Sequence, residues 1–527
     1  MLSLVDSGEL VLPETQRDFV WSKKSVMLLF DSLYRGLPIG HMLVWKTRRQ
    51  VQHKRYAHQA KLKSGVHDNF YGYLLDGQQR LTAISRVRDA DDEFPLLFNL
   101  WPEEAPWDPE VWNEYQPFYW WRSWAEGDSW VIRVSEVLDG KFNLMSFMKE
   151  LKQGGQHQEV YEKYEDAIFR RLSALQGILE YSVGITEFGS ESHEEATELF
   201  IRFNSTGRKL SKGDLVAAEL ALKVPGLSSA DVDRALVKWA PQYRFTRPFL
   251  IQCLVAVHTR RMVLKEPRCI WDASNPTSIR TSWKTTEQAL GEVIKLLTGT
   301  IRWDSSAWVP SFNALIPLIV VFSSSDHLSQ RDRELARSWL LLTGVRTYFS
   351  GSVYTDLDRV LRKLKDNVSV RNLWRSTSKR LGRLKGEDFE TNRISGPIMS
   401  MFVSMLRNAE AKDWKLDTPL NGAVIGHNAE LQVHHFFPRA LLRREGHDSS
   451  RIDTFANYTV ISKDTNLHIG TEEPATYLKR EKIPARHLDA QCIPLDKRLW
   501  RIDRYDDFLA ARRKLLSERA NTFLGLT

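Results

Sequence analysis

The 527-residue chain predicts an α+β, multidomain fold. Three observations predict it. The first 100 or so residues alternate helix and strand signals, and the stretch from about 226 to 410 is mostly helical in period with sparse glycine and proline. The C-terminal part orders a strand, a loop, a second strand and a short helix. The expected boundaries are 1–225 for a mixed N-terminal domain, 226–394 for a helical connecting region and 395–527 for a C-terminal ββα domain.

The elements follow in chain order. "SKKSVMLLFDSLYRGLP" predicts a helix that Ser22 caps and Gly36 with Pro38 ends. The β-rich "HMLVWKT" (41–47), a polar basic insertion (48–69) and the strand-like "YGYLL" (71–75) come next. That strand runs straight into "DGQQRLTAISRVRD". Residues 101–150 are rich in Trp and Pro and read as irregular; 158–222 read as helical, interrupted by "FNSTGRKLSKGD". A run of cations lies between Arg359 and Lys385, and a charged helix over 503–518 closes the chain.

Composition narrows the class. With 42% apolar and 27% charged residues and no repeats, this is an ordinary globular protein. A net charge of +8 permits a polyanionic partner without requiring one. Cys253, Cys269 and Cys492 are too scattered for a disulfide framework or a thiolate zinc site, which fits a reducing compartment. No signal-peptide pattern opens the chain, and the apolar run "ALIPLIVVF" (314–322) is too short to span a bilayer. A cytoplasmic protein without a membrane partner is expected.

"LQVHHFFPRALL" (431–442) puts His434 and His435 inside a buried-looking strand, and "FANYTVISKDTNLHIGTEEPATYL" supplies Asn457 and Asn466. A ββα finger brings these points together. Phosphodiester hydrolysis needs a base for water and a hard cation on the scissile phosphate. Neutral imidazole serves as the base near pH 7. A second imidazole and an amide oxygen can hold a divalent ion with sites left open. The competing reading is a histidine pair satisfied by backbone bonds in a core.

This stretch resembles the HNH, or ββα-metal, nuclease motif. More narrowly, with Pro438, Gly470, Pro474 and Tyr477 in order, it resembles the C-terminal HNH domain of GmrSD-type restriction proteins. The resemblance implies His435 as general base, Asn457 as the structural asparagine of the catalytic pair, and His434 and Asn466 as ligands of Mg²⁺ or Mn²⁺. His468 is an alternative ligand, while His427 and His447 read as surface residues.

"LLDGQQRLTAI" has a structural reading in which Asp76 caps the helix and Gln79 closes a capping box. It also sets a helix N-terminus, a glycine turn, two amides and Arg80 at a strand end, an arrangement that binds anions. "LPETQRDFVWSKKSVMLLFDSLYRGLPIG" precedes it and "LFIRFNSTGRKLSKGDL" follows. The ordered trio resembles the GmrS-like N-terminal domain, distantly related to the ParB fold. That resemblance implies a nucleoside triphosphate site, GTP first among the candidates. Its residues are Gln16, Arg17, Asp76, Gly77, Gln78, Gln79, Arg80, Arg202, Asn204 and Gly207.

The function expected from both resemblances is an NTP-regulated, modification-dependent DNA endonuclease acting against phage. It would have HNH hydrolase and NTPase activities, with modified phage DNA and NTP as partners and homo-oligomerisation compatible. The alternative is a nucleotide-switched, ParB-like DNA-binding regulator with an inactive finger.

Overall fold

The structure is a computed structural model. It describes residues 1–13, 19–48, 53–54, 70–106, 116–121, 130–154, 157–192, 195–196, 198–199, 202, 216, 220, 223–224, 226–262, 275–325, 327–364, 367–393, 396–420 and 431–526. The chain divides into two compact units, Met1–Ser229 and Ala230–Thr527.

The first unit is built on a five-stranded mixed sheet of order β3-β1-β4-β2-β8. Its strands are β1 (Leu10–Pro13), β2 (Met42–Lys46), β3 (His53–Lys54), β4 (Gly72–Asp76) and β8 (Ile185–Gly189). β1 runs parallel to β4, β2 antiparallel to β4, and β8 parallel to β2. Side chains alternate across the pleat, so both faces must be covered. Met42, Val44 and Leu74 pack with Val5 and Leu81 on one side, and Leu43, Trp45, Tyr73 and Leu75 pack with Ala196 on the other. A second sheet has β5 (Leu96–Asn99) between β6 (Phe118–Trp120) and β7 (Val131–Arg133). Phe98, Phe118 and Trp130 carry its core together with Phe30 and Leu172.

The helix expected after Ser22 forms over Lys23–Tyr34, and Ser22 accepts the Ser25 amide at 3.2 Å. The strand expected at 71–75 is β4 and that at 41–47 is β2. Two expectations are corrected. Residues 101–150, read as irregular, contain β6 and β7, and 158–222, read as helical, contain β8 after the Gln158–Gln176 helix. Both misreadings concern strands of three to five residues, too short to impose a clear period of two.

The second unit is helical up to Asn408, with helices Arg247–Thr259, Pro276–Lys295, Leu315–Phe322 and Gln330–Val345 among its members. All eight residues of Leu315–Phe322 are buried, so the most apolar run of the chain is a core helix. Among the described residues no helix is long and apolar enough to cross a membrane.

After the helices come β9 (Leu431–His435) and β10 (Tyr458–Ser462), paired antiparallel with His435 opposite Tyr458 and His434 opposite Thr459. The helix Lys463–Ile469 follows at once, three residues earlier than the expected start near Asn466, because Ser462 caps it by accepting the Thr465 amide. The Tyr505–Phe523 helix backs this ββα arrangement: Phe508 stacks on Phe436 at 4.7 Å, and Tyr505 meets Phe437 edge-on at 5.1 Å. Its Arg512 is wholly buried and donates to the carbonyls of Ala456, Tyr458 and Gln491, and burial lowers its pKa to about 10. A buried guanidinium without partners would cost several kcal/mol, and the bonds to Ala456 and Tyr458 tie this helix to the start of β10.

Candidate active site

His434 and His435 are neighbours on β9, so their side chains leave opposite faces of the strand. Each finds a different partner. His434 Nδ1 lies 2.7 Å from Asn466 Oδ1, in the second turn of the Lys463–Ile469 helix. The Asn466 amide is oriented by its other end, where Nδ2 donates to Gln432 Oε1 at 2.7 Å. The oxygen therefore faces the imidazole, Nδ1 carries the proton, and the lone pair falls on Nε2. That Nε2 is buried and has no hydrogen-bond partner among the described residues. Burial is the main reason the His434 pKa falls to about 4; the Asn466 bond opposes the shift. The ring is neutral at physiological pH, the state a metal ligand requires.

Holding a cation jointly with Asn466 Oδ1 requires the other His434 tautomer, with the Nδ1 lone pair freed and the proton on Nε2; the 2.7 Å between Nδ1 and Oδ1 is then close to the roughly 3 Å edge between adjacent ligands of Mg²⁺. Among the described residues no group of three His, Cys, Asp or Glu side chains could hold a metal.

His435 Nε2 is 2.8 Å from Asp453 Oδ1, and Asp453 Oδ2 takes Arg439 at 3.0 Å. An ionised Asp453 accepts, so Nε2 is the protonated nitrogen and Nδ1 the basic one. Burial lowers the His435 pKa more than Asp453 raises it, which keeps the base form at neutral pH. The ring meets Tyr458 edge-on at 4.9 Å.

Asn457 hydrogen-bonds to neither imidazole. It is wholly buried just before β10, where Oδ1 accepts the Phe437 amide at 2.9 Å and Nδ2 donates to the Phe437 and Ile452 carbonyls. It thus clamps the turn leaving β9 to the loop that carries Asp453. His468 is exposed, its Nδ1 bonded to the Asp464 carbonyl, and is not beside the His434–Asn466 pair by any bond. His447 packs half-buried on Tyr505, and His427 lies outside the described residues.

Sequence reasoning missed three residues. Asp453 pairs with the base candidate; its signal was an acid in the inter-strand loop just before "FANY". Gln432 orients Asn466 and sits one period of two before His434. Asp413 is wholly buried, accepts the Ser462 amide at 2.6 Å and the Thr465 hydroxyl at 2.5 Å, and so anchors the helix that carries Asn466. Its backbone and hydroxyl donors outweigh burial and hold its pKa below the ordinary carboxylate value. No local motif marks it, because it comes from a distant turn.

The Asp76–Arg80 turn differs from its sequence reading. The N-cap is Gly77, at φ +97°, with no side-chain cap bond, so the Asp76–Gln79 capping box does not form. A Cβ at Gly77 would lie 1.9 Å from Met42 Sδ, so only glycine fits. Asp76 instead pairs with Arg80 at 2.8 Å. Arg80 also donates to the Ile39 and His41 carbonyls at 2.5 and 2.9 Å, which latches the helix to the approach of β2. Gln78 and Gln79 are buried, and Gln79 Oε1 accepts the Val20 amide at 2.8 Å. Arg202 is exposed and bonds Glu198. Gln16, Arg17, Asn204 and Gly207 lie outside the described residues.

Two comparisons with known proteins bear on this arrangement. Residues 1–221 match the family model described as GmrSD restriction endonuclease, N-terminal domain. An uncharacterized protein of Methanocaldococcus jannaschii is 22% identical over 506 residues, covering 90% of this chain and 84% of that one.

Proposed function

We propose that this chain is a modification-dependent DNA endonuclease of the GmrSD kind, cutting phosphodiesters at the ββα finger. The match of residues 1–221 supports the coarse reading, a restriction-endonuclease type of protein that acts on DNA. The observation that carries the finer one is the division of labour across β9. One imidazole adjoins an amide oxygen, and the next is poised as a base by a carboxylate.

In this reading His435 Nδ1 takes the proton of the attacking water, and Asp453 stabilises the imidazolium that results. Asn457 holds the turn that sets the base, and His434 with Asn466 would hold Mg²⁺ or Mn²⁺. The ion would supply charge stabilisation at the scissile phosphate, with water and phosphate oxygens completing its shell. The reading for the first unit is an NTP site at the Asp76–Arg80 turn, completed by Gln16, Arg17, Arg202, Asn204 and Gly207, that gates the nuclease. It rests on the motif. A bound nucleotide shifts cutting only as far as it binds two domain arrangements unequally.

Plasmid nicking separates this reading from an inactive finger on a DNA-binding regulator. Modified and unmodified phage DNA are incubated with the protein, with Mg²⁺, Mn²⁺ or EDTA, and with each NTP. Cutting that requires the divalent ion supports the reading; no cutting under any condition, or cutting that survives EDTA, overturns it.

A further inference from the structure

The helix Val370–Leu381 buries Val370, Leu373, Thr377 and Leu381 on one face. Arg371, Arg375 and Lys379 recur every four residues on the opposite face and are exposed. The helix contains no acid, and among the described residues none of the three cations pairs with a carboxylate. Its neighbour Val353–Lys363 behaves differently. There Arg359 pairs with Asp356 and Arg362 with the buried Asp358. The first helix presents Arg371, Arg375 and Lys379 while its Arg380 reaches Asp356 at 3.9 Å, and the second pairs Arg359 and Arg362 within itself. The presented face has no apolar anchor of the kind a membrane-surface helix needs.

The chain that leaves this helix leads to the candidate active site. Leu384 exchanges two hydrogen bonds with the Asn521 side chain, Glu390 pairs with Arg513, and Thr391 O accepts the Phe455 amide at 2.7 Å. Phe455 lies between Asp453 and Asn457. The path from Leu381 to Thr391 spans at most about 35 Å even if extended, comparable to one turn of B-DNA.

We propose that Arg371, Arg375 and Lys379 form a phosphate-tracking surface that seats duplex DNA leading to the ββα finger. This inference rests on the nuclease reading and names how its substrate docks. Phosphate contacts of this kind position a duplex without reading its sequence, which leaves recognition of modification to other parts of the chain.

The test uses the full chain carrying His435→Ala, so that DNA is bound without being cut. Fluorescence anisotropy with a short labelled DNA duplex, across a range of KCl, gives Kd and its salt slope. Arg371→Gln/Arg375→Gln/Lys379→Gln should weaken binding about tenfold or more and make the slope shallower by roughly 2–3. A control triple, Lys141→Gln/Lys149→Gln/Lys163→Gln, removes the same charge elsewhere and should leave the slope unchanged. An unchanged slope in the first triple, an equal loss in the control, or a loss seen only with duplex RNA overturns the proposal. Circular dichroism checks that both triples fold. If the parent never cuts DNA yet the slope change appears, the nuclease reading falls and the surface stands; if it cuts and the slope is unchanged, the reverse holds.

Discussion

Two strand-to-helix junctions carry polar residues in this molecule, and they use them in opposite ways. At the Asp76–Arg80 turn the charges are committed to the fold: Arg80 serves Asp76 and two backbone carbonyls, and Gln79 serves the Val20 amide. At the β9–β10 finger a buried histidine nitrogen has no partner among the described residues, and a second imidazole is set up by a carboxylate. A polar group that satisfies itself locally stabilises. One that stays buried and unsatisfied costs about 1–3 kcal/mol.

Breaking the finger should have the largest effect. His435→Ala should slow DNA cleavage roughly 10²–10⁴-fold while the circular dichroism spectrum stays that of the parent. Cleavage at parental speed by a folded variant would remove His435 from the mechanism.

The second effect is on stability against pH. The folded His434 pKa, about 4, lies below its ordinary 6.5, so the unfolded chain binds the proton more readily. The stabilisation is therefore complete above pH 6.5 and is lost as pH falls towards 4, by about 3 kcal/mol. Urea unfolding in EDTA should show this loss in the parent and a flatter profile in His434→Gln. Equal slopes in the two would mean that the ring is not held neutral by burial.

The same measurement sharpens the other side of the comparison. Arg80→Ala removes one ion pair and two bonds to carbonyls, and should destabilise the protein by about 2 kcal/mol. Losing a helix cap alone would cost about 1 kcal/mol. Isothermal titration of the parent with GTP, ATP, CTP and UTP then asks whether the turn has a second role. Nucleotide binding that survives Arg80→Ala would leave Arg80 as a latch only.

Asp453→Asn is the mildest of the four. The amide still reaches His435 but carries no charge, so kcat should fall about 10–100-fold with KM little changed. The ¹⁵N shifts of His435 should move towards the other tautomer. An unaltered tautomer would show that Asp453 does not set the ring.

The sequence by itself determined the elements with strong local signals. Ser22 and its helix, the strands β2 and β4, and the ββα order around His434, His435, Asn457 and Asn466 were all legible, because caps, apolar runs and turns act over a few residues. The tertiary structure decided the rest. β8 and the β5–β7 sheet are short segments whose hydrogen-bond partners lie far away in the chain. Asp76 looked like a cap, but Gly77 takes that position and the carboxylate turns to Arg80. Which acid reaches His435, which amide faces His434, and that a carboxylate as remote as Asp413 anchors the helix beneath them are matters of contact across loops. A sequence pattern reports the direction a side chain leaves its own strand; only the folded chain brings up the atom it meets.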